Sequence, residues 1–350
     1  MTDIAQLHPL PLHTQGEAWP APDWPEGPLE GGVDQASLQH LLDFAFSETP
    51  PEALGETHAF VAVHRGKLVA ERYWRDYKAT DTYPSWSMAK SITHALVGIL
   101  VDQGKMDIHA PADVPEWQGA DDPRRLITLD QLLRMSSGLA FAEDYVDSGV
   151  SDVIEMLFGK GKGDVAAYAA GRPAAHAPDT VWNYSSGTTN IVARCAARAL
   201  GKSGDGFEAF MRSVLLDKIG MHSAKPKFDE AGTFIGSSFC YCTARDFAKF
   251  GLLYMRDGRW NDEQILPKGW VDYARTPTST PEDEPMGYGA HWWLGICGPD
   301  SFSANGYQGQ YTVVVPSLDL ILVRHGNSTI EMGEEVRGWM TNVANCFRGA

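Results

Sequence analysis

Hydrophobic periodicity switches twice along this chain, and the positions of the switches restrict its topology more than any other feature. Runs rich in β-forming residues cover His58 to Val63 and Leu68 to Trp74. They are joined by His64-Arg65-Gly66-Lys67, a short glycine-containing turn, which predicts a hairpin. Comparable runs return only near the other end, at Tyr288 to Leu294, Tyr311 to Val315 and Leu318 to Arg324. Between Ser87 and Gly220 the spacing is mostly helical, at Ser87 to Gln103, Leu129 to Met135, Ser151 to Phe158, Thr189 to Leu200 and Phe207 to Leu215. Strands so far apart in sequence share a core only if both ends of the chain complete one antiparallel sheet, with the helical block beside it as a second lobe. The expectation is an α+β fold with a cleft between lobes as the place for a site.

Length agrees with two lobes, because single cores stop growing at about 250–300 residues and this chain has 350. The predicted boundaries are an extended N-terminal arm over 1–32, an α/β lobe built from 33–104 and 236–350, and a mainly helical lobe over 105–235. The arm is rich in Pro, Gly and Trp without a period. Further helices are predicted from Asp34 to Ser47, Ala244 to Met255 and Glu331 to Phe347.

Composition excludes several functions. The net charge is −16 and no window gathers Lys and Arg, so nucleic acid is not an expected partner. The longest apolar run, near Ala95 to Val101, is too short to cross a bilayer. The first residues lack the basic and apolar regions of an export signal, so the expectation is a soluble, cytoplasmic chain without a membrane partner. Cysteines at 195, 240, 242, 297 and 346 are odd in number and scattered, which fits reduced thiols better than a disulfide framework. Cys240 and Cys242 have no second Cys or His pair at finger-like spacing, so no metal is expected.

Chemistry concentrates in two short segments. Tyr83-Pro84-Ser85-Trp86-Ser87-Met88-Ala89-Lys90-Ser91 precedes an apolar helical run and contains Ser-x-x-Lys. At a helix start, positions i and i+3 share a face, so the Ser87 hydroxyl and the Lys90 amine fall within hydrogen-bond reach. Serine is a poor nucleophile until a base takes its proton, and lysine serves only where burial or positive surroundings lower its pKa. Alone the pattern is common on solvated helix surfaces. The second segment, Trp182-Asn183-Tyr184-Ser185-Ser186-Gly187, reads either as a turn with a packed tyrosine or as a site in which Tyr184, held beside Lys90, relays a proton and Ser186 completes the polar network.

Together and in this order, the two segments resemble the serine β-lactamase and penicillin-recognising superfamily, especially its class C-like branch with family VIII esterases and 6-aminohexanoate-dimer hydrolases. Leu129-Asp130-Gln131-Leu132-Leu133-Arg134-Met135-Ser136-Ser137-Gly138-Leu139 is similar to a further conserved stretch of that family, as is Ala244-Arg245-Asp246-Phe247-Ala248-Lys249-Phe250-Gly251. The resemblance covers roughly residues 55–330 and implies a β-lactamase/transpeptidase-like fold. It also implies an acyl-enzyme on Ser87 with proton handling by Lys90 and Tyr184, without metal or organic cofactor. The family's Lys-Thr-Gly strand falls near Ala304-Asn305-Gly306-Tyr307, where the glycine is kept and the cation is lost. The resemblance then implies an oxyanion hole from the backbone N–H groups of Ser87 and Tyr307, with Asn305, Gly306 and Ser186 beside the substrate.

Ala304 speaks against β-lactams and peptidoglycan stem peptides, whose carboxylate the lysine helps to hold. Phe141-Ala142-Glu143-Asp144-Tyr145 and Gly306-Tyr307-Gln308-Gly309-Gln310-Tyr311 look more like the nylon-oligomer hydrolase branch, which makes Tyr145 a candidate substrate contact. The expected partner is a small linear amide or ester. The alternative is a β-lactamase or D-amino-acid-specific peptidase, and a homodimer is an assembly the sequence allows. Other features carry less. His325 has no Gly-x-Ser-x-Gly elbow to serve. Gly201-Lys202-Ser203 lacks the leading glycine and preceding strand of a phosphate loop and reads as a helix-ending turn. Gly159 to Gly163 reads as a mobile loop, and Trp292 and Trp293 read as core or edge packing, with room for one of them to wall the cleft.

Overall fold

The structure is a computed structural model and describes residues 7–14, 16, 18–20, 23–144, 151–282 and 284–349. Helix α1 (Gln35–Ala45) leads into the hairpin β1 (Glu56–His64) and β2 (Lys67–Tyr73). The chain then runs through helices α2 (Ala89–Asp102), α3 (Leu129–Leu133), α4 (Asp152–Leu157), α5 (Val165–Ala170), α6 (Ser186–Leu200) and α7 (Gly204–Met211). Short strands β3 (Lys225–Pro226) and β4 (Cys240–Tyr241) pair before helix α8 (Ala244–Met255), and β5 (Arg259–Trp260) pairs with β6 (Glu263–Gln264) after it. Helix α9 (Trp270–Arg275) precedes strands β7 (Gly287–Tyr288), β8 (Trp293–Leu294), β9 (Phe302–Gly306), β10 (Gln310–Val315) and β11 (Leu320–Asn327), and helix α10 (Gly333–Asn345) closes the chain.

Seven strands form one antiparallel sheet in the order β2-β1-β11-β10-β9-β8-β7, so the two ends of the chain meet where β1 pairs with β11. Side-chain alternation then divides the core in two. Ala59, Val61 and Val63 of β1 pack with α2, α8 and the helical block, whereas Phe60 and Ala62 pack with Leu38 and Leu42 of α1 and Trp339 and Met340 of α10. A strand covered on both faces reads as a continuous apolar run, which is why Ala59 to Val63 carries no polar residue. The chain is a β-lactamase/transpeptidase-like α+β fold.

Several elements depart from the sequence reading. The helix expected from Ser87 opens with a 3-10 turn, Trp86–Met88, before α2. The run Tyr288 to Leu294 breaks into β7 and β8 because His291 adopts φ +58° and its N–H and ring both bond to the Leu133 carbonyl. A Cβ on Gly289 would lie 1.9 Å from the Ala274 carbonyl oxygen, so this turn is packed against α9. The Gly159 to Gly163 segment is a packed turn: Gly161 donates to Glu155 O, and a Cβ there would meet the Tyr168 ring. Gly201 is the left-handed cap of α6, φ +62°, as expected of a helix-ending glycine. Among the described residues no helix is long and apolar enough to cross a membrane, and no group of three or more His, Cys, Asp or Glu is placed to hold a metal ion. All five cysteines are free and buried.

Candidate active site

The Ser87 turn is built by backbone constraint. Trp86 sits at φ +43°, a strained conformation for a bulky residue, and directs Ser87 to the end of α2. Ser85, fully buried, locks the turn from below: its hydroxyl donates to Ser238 O at 3.0 Å and accepts from Cys240 N at 2.9 Å. On the other side β9 presses against it. A Cβ on Gly306 would stand 2.4 Å from Ser85 O and 3.1 Å from the Trp86 Cβ, so only glycine lets the strand approach.

Lys90, 2% exposed, extends its amine into a cage of three acceptors: Ser87 Oγ at 2.9 Å, Ser186 Oγ at 2.9 Å and Ser237 O at 3.0 Å. Burial pushes its pKa down to about 8, and the Glu143 carboxylate partly opposes that shift. Tyr184 lies immediately before the Ser185 cap of α6, with its ring 4.8 Å from the Lys90 amine and its hydroxyl in hydrogen-bond contact with Ser87. Burial and the Glu143 charge push the Tyr184 hydroxyl upward, so it stays protonated. The two groups are shifted in opposite directions, an arrangement that suits the amine to accept a proton and the phenol to keep one.

Glu143 was not singled out from the sequence. Its carboxylate accepts from the Ser186 backbone N–H at 2.7 Å and from the Ser186 hydroxyl, at the positive end of α6. Asn183 ties the same loop down by donating to the Phe141 carbonyl at 3.1 Å. No local spacing signals Glu143, because its partners lie more than forty residues away in sequence.

The site opens into a cleft of about 630 Å³ whose wall includes Ser87, Tyr184, Asn305, Gly306 and Tyr307. Trp293 and Trp182 supply its aromatic side, with Trp293 and Tyr184 ring centres 5.1 Å apart. Trp292, one residue earlier, points to the core and stacks on Phe250. The Asn305 amide oxygen is buried without a hydrogen-bond partner among the described residues, an acceptor left at the cleft wall. Ser186 departs from the expectation of a substrate contact. It is 1% exposed, off the cleft wall, and its hydroxyl is occupied by Lys90 and Glu143, so it bridges those two groups. Tyr145 lies outside the described residues. Ala304 is buried in the core, so no side-chain cation stands there. His325 is fully buried between Tyr83 and Phe247 and off the cleft wall, bonded to Gln310.

Known proteins are similar to this chain in sequence and fold. A 6-aminohexanoate-dimer hydrolase of Paenarthrobacter ureafaciens is 25% identical over 302 residues, 77% of this chain and 72% of that protein. A Bacillus anthracis protein assigned to the 6-aminohexanoate-dimer hydrolases superposes with a TM-score of 0.76 at 22% identity, covering 93% of this chain and 89% of the other. A family VIII carboxylesterase superposes with a TM-score of 0.68 at 16% identity, over 91% and 99% of the two chains. The Beta-lactamase family model matches residues 56–343, a span that runs from β1 into α10 and holds Ser87, Lys90 and Tyr184 together, and by that match the chain belongs to the beta-lactamase family.

Proposed function

We propose that this protein is a serine hydrolase that cleaves small linear amides or esters through an acyl-enzyme on Ser87. The observation that carries the reading is the 2.9 Å contact between the Ser87 hydroxyl and a buried Lys90 amine whose pKa is held near 8, at the wall of an open cleft. Neutral Lys90 takes the Ser87 proton as Oγ attacks the acyl carbon. The tetrahedral oxyanion is held by the backbone N–H groups of Ser87 and Tyr307. The Tyr184 hydroxyl passes a proton to the departing amine or alcohol and recovers one from Lys90. Water then attacks the acyl ester by the same route in reverse, releasing the acid and restoring Ser87. The kinship with 6-aminohexanoate-dimer hydrolases and a family VIII carboxylesterase supports linear amides and esters as the substrate class. Ala304, packed in the core where the family's lysine belongs, weighs against β-lactams and peptidoglycan stem peptides.

Initial rates on a short nitrophenyl ester, the linear 6-aminohexanoate dimer and a chromogenic cephalosporin test the reading in wild type and Ser87→Ala. Ester or dimer turnover is expected, falling in Ser87→Ala by about 10⁴-fold or more, as loss of a triad nucleophile does. Cephalosporin turnover as the leading activity would overturn the substrate class.

A further inference from the structure

We propose that Gln310 is a positioning residue for the reaction, its side-chain amide fixing the Tyr307–Gly309 turn so that the backbone N–H of Tyr307 is held toward the acyl oxygen bound at Ser87. This rests on the reading of Ser87 as nucleophile and Tyr307 as an oxyanion donor. The turn joins β9 to β10 and lines the cleft beside Ser87. All three of its carbonyls are held by buried groups. Gln310 Nε2 donates to Tyr307 O at 3.2 Å and Gln308 O at 3.2 Å, and also to Gly326 O at 2.7 Å. Ser328 N donates to Gln308 O at 3.1 Å, and Arg324 Nη1 donates to Gly309 O at 2.7 Å.

A trans peptide places its C=O and N–H on opposite sides. Holding the Tyr307 and Gln308 carbonyls on Gln310 therefore fixes the two peptide planes that follow Tyr307, and with them the backbone of Tyr307 itself. The Gly306–Gln310 pair, last rung of the β9–β10 ladder, sets the peptide that carries the Tyr307 N–H. Gln308 and Gly309 adopt φ +63° and +78°, and a left-handed conformation at a residue with a Cβ persists only when its surroundings impose it.

The clamp has one orientation. Gln310 Oε1 accepts from His325 Nδ1 at 2.9 Å and Gly326 N at 3.3 Å, so a flipped amide would set oxygen against three carbonyls and nitrogen against an N–H. His325 is in turn stacked on Tyr83, ring centres 4.5 Å apart at 7°. Arg324, fully buried, forms no ion pair with a carboxylate among the described residues; its guanidinium serves Gly309 O, Leu54 O, Glu56 O and two hydroxyls. Gly309 and Gly326 leave room for it, since a Cβ at either would fall within 2.9 Å of Nη1. A hairpin turn needing only stability is satisfied by main-chain bonds. Here a buried amide and a buried cation fix a turn that faces the nucleophile.

The test uses Gln310→Met, which keeps length and removes the donor, with a nitrophenyl ester as substrate and an alkylboronic acid as probe of the anionic tetrahedral state. The expected result is a fall in kcat and kcat/KM of about 10–100-fold with KM within about twofold, and an equal loss of boronic-acid affinity. A purely structural role lowers the melting temperature without that matched loss. Gln310→Glu, which keeps the shape and the acceptor oxygen, carries the same test if Gln310→Met does not fold. Turnover abolished in Ser87→Ala but unchanged in a folded Gln310 variant, or lost without loss of boronic-acid affinity, overturns this proposal alone. Turnover that survives Ser87→Ala removes the nucleophile and the proposal with it.

Discussion

What fits Lys90 to act as a base is what surrounds it, and the balance of its surroundings is measurable. Desolvation drives the amine down to about 8, and the Glu143 carboxylate pulls it back up. A reaction that needs the neutral amine gains rate as pH rises through that value. Glu143→Gln removes the opposing charge while keeping an oxygen for Ser186, so the Lys90 pKa falls further and the rising limb of kcat/KM moves to lower pH, by on the order of one unit. Relative to wild type, the variant gains at pH 6.5 rather than at pH 9. A pH–rate profile on a nitrophenyl ester reads this directly, and a limb left in place by Glu143→Gln would mean that another group titrates. Tyr184 gives no competing limb, because its hydroxyl is pushed above the ordinary tyrosine range.

Elements bring these residues together through close backbone approach, and two glycines separate approach from mere helix composition. Gly306→Ala places a Cβ 2.4 Å from Ser85 O, so β9 must move off the nucleophile turn. The expected outcome is a stability loss of about 1–3 kcal/mol and a fall in kcat/KM of on the order of 10²-fold, since small misplacements of reacting groups are costly. Gly338→Ala, inside α10 with nothing within 4 Å of the new Cβ, stabilises by about 0.5–1 kcal/mol and leaves kinetics alone. Thermal melts and ester kinetics on the two variants check both. The same contrast explains what the sequence revealed. The contact of Ser87 with Lys90 was legible because helix geometry ties neighbours at fixed spacing, whereas Tyr184, far off in sequence, was reached through the resemblance of the two segments together. β1 was legible because a doubly buried strand is uniformly apolar. β9 showed no alternation in Phe302-Ser303-Ala304-Asn305-Gly306 and was reached only through the family's motif. Glu143, Trp293 and the Gln310 clamp depend on contacts between distant segments, which no local pattern encodes.

At the scale of the whole molecule, two cores pressed on one sheet bury histidines that stay neutral in the fold where the unfolded chain would charge them. His291 and His325 are held down to about 3 by desolvation, and His94 lies well below the ordinary histidine value for the same reason. Each folded pKa lies below the unfolded value of 6.5, so as pH falls the unfolded chain binds protons first and stability drops. The contribution is complete above about pH 6.5 and is lost progressively down to about 3. Each histidine contributes a slope of about 1.4 kcal/mol per pH unit in that window, so three give roughly 4. An opposing effect exists: the chain carries −16 and approaches neutrality near pH 5.0, which relieves self-repulsion on acidification. That repulsion is spread over exposed charges and is screened within about 8 Å at physiological salt, whereas the histidines are sealed from ions. Urea unfolding at pH 7.5, 6.0 and 5.0 in 0.5 M salt should therefore show steep loss below pH 6.5. His325→Gln, whatever its effect on absolute stability, should flatten the slope by about one proton's worth, 1.4 kcal/mol per pH unit. A stability profile level from pH 7.5 to 5.0, or a slope unchanged in His325→Gln, would show that these rings find protonated partners in the fold.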